Sequence, residues 1–145
     1  VVTNSSDYRD IRSLAVHTED VVTAFETNLT PGPRAVLRVT APFAGRMRAR
    51  LHVEGGEGYT ETPHPLHVDP TILLDSDRVP DYPRAADTEE RLRADSKLEY
   101  SIDRHHALHT DRVAAWRESA GNAVVETAEL DGPQGPHRVR VLALG

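Results

Sequence analysis

Three histidines, His105, His106 and His109, fall within five residues, and two more, His64 and His67, stand just before Asp69. On a helix His105 and His109 are i, i+4 neighbours and His106 and His109 are i, i+3 neighbours, so two imidazoles converge on one point. With His64, His67 or Asp69 alongside, the donors suit a divalent metal such as zinc, and an open coordination position would add hydrolysis. A second group has different chemistry. Arg34, Arg38, Arg46, Arg48 and Arg50 lie in a stretch, residues 34–53, that contains no carboxylate, and Arg138 and Arg140 repeat the same every-second-residue spacing near the end of the chain. Guanidinium forks held in a row suit phosphate or carboxylate groups, which they grip with two parallel hydrogen bonds.

Both groups also have plainer explanations. Inward histidines are commonly hydrogen-bonded core residues, and the helix lacks the general-base glutamate of an H-E-x-x-H pattern. The arginines have ten carboxylates available in residues 69–103, against five basic residues there, and exposed ion pairs of that kind contribute only about 0–1 kcal/mol each. Nucleic acid is the weaker partner for the arginines. The whole chain is acidic, and the only aromatic nearby is Phe43 in a turn, where a stacking platform would need aromatics alternating with the bases. An anionic small molecule or an acidic protein segment fits better. No G-x-S-x-G elbow, phosphate-binding loop or dinucleotide fingerprint occurs. The residues therefore favour a non-enzymatic binding or regulatory module with an arginine-rich sheet face, with a histidine metal protein, a hydrolase if a coordination position stays open, as the alternative.

Composition narrows the class. The net charge is −6, from 23 carboxylates and 17 basic residues, of which sixteen are arginine and one is Lys97. A moderate acid excess with almost no lysine fits a salt-adapted, soluble protein. With no cysteine there is neither a disulfide framework nor a thiolate site. No apolar run reaches 18 residues and the first 30 positions carry no basic-then-apolar pattern, so a cytoplasmic protein without a membrane partner is expected.

The elements that must position these residues follow from periodicity. Residues 1–10 are polar and expected to fray, leaving residues 11–145 as one α+β domain. Ile11 to Val16 reads as a strand. Thr18 N-caps a helix from 19 to about 28, with Glu19 and Asp20 in its first turn and Val21, Val22 and Phe25 on its apolar face, and Pro31-Gly32-Pro33 ends it. Strands 34–40 and 46–54 pair most simply as an antiparallel hairpin across the turn 41–45. Residues 54–60 read as a glycine-rich loop, 63–68 as a short edge strand, 69–74 as one helical turn and 75–86 as a surface connection. A short helix starts near Asp87. A long one starts from the Ser96/Glu99 capping pair and buries Leu98, Ile102, His106, His109, Val113, Trp116 and Ala120 along one arc, ending at Gly121-Asn122. A second hairpin, 123–130 with 136–143, closes the chain. The expected fold is α+β, a mostly antiparallel sheet of two hairpins packed against one long and one or two shorter helices. In that sheet the seven arginines share one face, with Leu37, Val39, Leu51, Val139 and Val141 on the other.

The segments PFAGRMRARLHV, preceded by VLRVT, and GPHRVRVLALG resemble those of a family of small uncharacterised proteins from halophilic archaea. The resemblance runs from about Ile11 to the end. It implies a soluble cytoplasmic protein and assigns no chemistry.

Overall fold

The computed structural model of the chain describes residues 5–55 and 64–145, so most of the glycine-rich 54–60 loop lies outside the described residues. Strand β1, Ser13–His17, turns Leu14 and Val16 inward and Ser13, Ala15 and His17 outward, the two-residue period of a half-buried strand. Helix α1, Thr18–Thr27, follows directly, with Glu19 and Asp20 in the first turn where the helix dipole favours negative charge. His17, not Thr18, holds the N-cap position. The helix ends at Asn28, whose side-chain amide donates to the Ala35 carbonyl and accepts from the Ala35 N–H, both at 2.8 Å. That clamp sets the start of β2, Ala35–Val39.

The hairpin expected of 34–40 with 46–54 forms only in its second half. Strand β4, Arg50–Val53, pairs antiparallel with β2, placing Leu51 opposite Leu37 and Arg50 opposite Arg38. Strand β3, Arg46–Arg48, pairs instead in parallel with β1. The chain crosses from one sheet to the other at Ala49, a small, fully buried residue whose N–H donates to the Ala15 carbonyl at 2.9 Å. Alternation specifies which side chains face inward; it does not specify which strand lies alongside.

Strand β5, Leu66–Val68, adds to the other side of β2, as a short edge strand should. Strands β6, Thr127–Gly132, and β7, Gly135–Leu144, form the expected C-terminal hairpin, with a tighter Pro133-Gln134 turn that Gly135 completes at φ 98°. β7 then pairs in parallel with β1. One mostly antiparallel sheet is thus replaced by two: an antiparallel sheet ordered β4-β2-β5 and a mixed sheet ordered β3-β1-β7-β6. The α+β class holds. Both sheets fill one core, with Leu14 and Val16 from β1, Leu37 and Val39 from β2, Val68 from β5, Leu130 from β6, and Val139 and Val141 from β7.

Helix α2, Ala85–Ala94, and helix α3, Ile102–Gly121, complete the structure. The Ser96/Glu99 pair does not open α3. Ser101 caps it, its hydroxyl accepting from the Arg104 N–H at 3.1 Å, and the end at Asn122 is as expected. The apolar arc fails at its start: Ile102 is 80% exposed and Leu98 lies outside the helix. It holds at its end, where Trp116 and Ala120 pack with Val22 of α1. Among the described N-terminal residues Tyr8 is buried, and it donates its hydroxyl proton to the Gly135 carbonyl at 2.6 Å.

The α1–α3 joint carries a polar knot. Arg117 donates to the Glu26 carboxylate and, at 2.9 Å, to the Thr23 hydroxyl, and the Tyr82 hydroxyl donates to the other Glu26 oxygen at 2.7 Å. Burial first, and the bond to Glu26 second, raise Tyr82 from 10.0 to about 12. A raised value favours the neutral phenol in the folded state. The stability it contributes is present below pH 10.0 and is lost as pH rises through about 12. Urea unfolding followed across that window should show a decline that Tyr82→Phe reduces.

Candidate functional site: the outer face of the mixed sheet

The seven arginines divide between the two sheets. Arg38 and Arg50 sit side by side on the antiparallel sheet, with His67 next to Arg38 in the same row, and Arg34 immediately precedes β2. Acids accompany them there. Arg34 is ion-paired with Asp69, one of the carboxylates of the 69–103 segment, and Glu54 accepts from His67 at 3.0 Å. The single seven-arginine face is therefore corrected, because β3 and β4 belong to different sheets.

Arg46, Arg48, Arg138 and Arg140 form a different arrangement on the outer face of the mixed sheet. Arg46 and Arg140 flank Ser13 from the strands on either side of it, and one step along, Arg48 and Leu142 flank Ala15. Neighbouring strands lie about 4.8 Å apart and alternate residues along a strand about 6.7 Å apart, so nearest neighbours in the row stem from points roughly 7–10 Å apart and its ends, Arg48 and Arg138, from points roughly 16 Å apart. Between them β1 presents the small side chains of Ser13 and Ala15. All four arginines are exposed, as are Leu142 and Leu144 along the β7 bank.

The electrostatics of this face follow from what the arginines touch. Arg48 donates to Nε2 of His17 at the end of β1. Glu129 lies opposite Arg138 across β6 and β7. Among the described residues none of the four arginines makes an ion pair with a carboxylate. The pairing with residues 69–103 that would neutralise the row is thus seen at Arg34 and not here. Sequence reasoning missed Ser13, Ala15, His17, Leu142 and Leu144. Nothing local marks them, since they join the face only through two parallel pairings between strands far apart in the chain.

The histidines go elsewhere. His105 bonds through Nε2 to the Ala85 carbonyl at 2.9 Å, and His109 through Nδ1 to the Thr88 hydroxyl at 2.8 Å, so both fasten α3 to α2. Their rings stack 5.7 Å apart. His106 is exposed, contrary to the inward position expected of it. His67 lies on β5 beside His52, with ring centroids 5.3 Å apart, while His64 precedes that strand and Asp69 faces Arg34 and caps Thr71 at 2.9 Å. Among the described residues no three histidine or carboxylate side chains gather as metal ligands, so His105, His106, His109, His64, His67 and Asp69 are not brought together. The helix spacing was right and the facing element wrong: α2 lies against the histidine side of α3.

Fold and face define a small α+β protein in which two sheets share one bent strand and the mixed sheet presents a cationic outer surface. The chain belongs to the family described as Domain of unknown function (DUF8009), whose model matches residues 2–145. No curated protein and no solved structure matches it. Among the described residues no helix is long and apolar enough to cross a membrane.

Proposed function

We propose that this protein is a non-enzymatic binding module that engages an acidic segment of a partner protein along the outer face of the mixed sheet. The observation that supports it is the row of Arg46, Arg48, Arg138 and Arg140, exposed and without carboxylate partners among the described residues of an acidic chain. An extended chain sets alternate side chains about 6.7 Å apart, which matches the spacing of Arg46 and Arg48 along β3 better than one small anion does. The exposed Leu142 and Leu144 add apolar contact beside the charges. A cytoplasmic location and a halophilic archaeal origin belong to the same reading, and rest on the acid excess with a single lysine.

Calorimetric titration with poly-glutamate provides the test. The Arg48→Glu/Arg140→Glu double variant should bind about tenfold more weakly, and the binding of the unaltered protein should weaken with added salt. Arg78→Glu/Arg91→Glu, on exposed arginines outside the sheet, should leave affinity nearly unchanged. Equal binding by all three proteins sinks the proposal, and tighter binding of inorganic phosphate than of the polymer would replace the segment by a small anion.

A further inference from the structure

The two sheets are continuous at one end, where β3 runs into β4, and face one another at the other end, where β5 and β6 line a common groove of about 370 Å³. Among the described residues each of these strands has one strand neighbour, β2 for β5 and β7 for β6, so each carries an edge with no strand beside it there. Neither contains proline, so the alternate residues whose N–H groups point away from the paired neighbour keep those donors. The floor is apolar, built by Leu66, Val68, Ile72 and Leu130, of which Val68 and Leu130 are buried. The β6 rim is acidic. Glu129 and Asp131 are exposed there and make no ion pair among the described residues, whereas Asp69 on the β5 side is already held by Arg34.

We propose that this groove is a docking site for an extended basic segment of a partner protein, which pairs its backbone with the free edge of β6. The strand geometry dictates the pattern of that segment. A strand added beside β6 carries every second side chain on the outer face next to Glu129 and Asp131, and the intervening ones over Leu130 and the groove floor. Lysine or arginine therefore alternates with an aliphatic residue. Strand addition of this kind draws affinity from main-chain bonds and specificity from alternate side chains. A second copy of the chain is disfavoured as the occupant: edge-to-edge pairing of two β6 strands brings Glu129 and Asp131 near their own counterparts, and like charges across a strand pair repel. The site adjoins the arginine face at one point, Glu129 opposite Arg138, but takes a partner of the opposite charge on a different edge of the sheet.

A labelled peptide alternating lysine and valine, followed by fluorescence anisotropy, tests the inference. It should bind the unaltered protein, and Glu129→Lys/Asp131→Lys should weaken that binding by about tenfold. Asp77→Lys/Glu89→Lys, with the same charge change at exposed or partly exposed sites away from the groove, should leave it nearly unchanged. Methylating the backbone nitrogens of alternate peptide residues should abolish binding to the unaltered protein, a readout that needs no variant to fold. The proposal is overturned if the peptide does not bind, if the methylated peptide binds equally, or if both charge reversals act alike. It is also overturned if sedimentation shows a dimer that the β6 reversal dissociates, because the occupant is then a second copy. A glutamate–valine peptide should ignore the groove, which separates failure here from failure of the arginine-face proposal.

Discussion

Gly132→Ala is expected to destabilise the protein by about 3 kcal/mol in urea unfolding, well beyond the usual cost of adding one methyl group. A Cβ at position 132 would fall within the ring of Tyr8, overlapping Cζ and both Cε atoms. The ring has nowhere to retreat. It is buried, its hydroxyl donates to the Gly135 carbonyl at 2.6 Å, and the same oxygen accepts the Gln134 N–H at 2.9 Å. Relieving the overlap means moving the ring and loosening both bonds across the hairpin turn. A double-mutant cycle isolates the cause: in a Tyr8→Ala background the further change Gly132→Ala should cost little. Because the same hairpin carries Arg138 and Arg140, the single variant should also weaken poly-glutamate binding. A glycine variant as stable as the unaltered protein would show that Tyr8 does not lock the turn.

Thr88→Val should cost about 2 kcal/mol, although it exchanges a hydroxyl for a methyl of similar volume. Thr88 is completely buried between α2 and α3. Arg112, which only donates, bonds to its Oγ1 at 2.7 Å, Nδ1 of His109 bonds to the same oxygen at 2.8 Å, and the hydroxyl also reaches the Arg84 carbonyl at 3.4 Å. Valine leaves both partners unsatisfied in a partly buried joint. Thr88→Ser keeps the bonds and loses only the methyl, so it should cost distinctly less. This joint does not touch the mixed sheet's outer face, and the affinity of folded Thr88→Val for poly-glutamate should be unchanged. Guanidinium unfolding of both variants checks the stability order, and equal losses would mean that packing, not the hydroxyl, holds α2 in place.

Elements marked by a local pattern of residues are legible in the sequence. The helix at 18–27, the short edge strand at 66–68 and the C-terminal hairpin follow from apolar period, proline placement and turn residues. Cap positions were less secure. Ser96 and Ser101 both precede a suitable helical run, and the choice between them depends on where α2 ends and how α3 lies against it.

The arginine spacing and its strand period were determined by the sequence, because side chains along a strand alternate whatever the partner. The company those arginines keep was decided by tertiary structure alone. Arg34 finds Asp69, while Arg46 and Arg140 meet across Ser13 through pairings that join residues 13, 46 and 140. The histidines show the same division. Their i, i+4 spacing placed His105 and His109 on one side of α3, but the docking of α2 gave that side Ala85 and Thr88 as partners in place of the second histidine group. Local bonding sets the period and direction of each element. Burial of the shared apolar core sets which elements become neighbours, and no short stretch of sequence carries that choice.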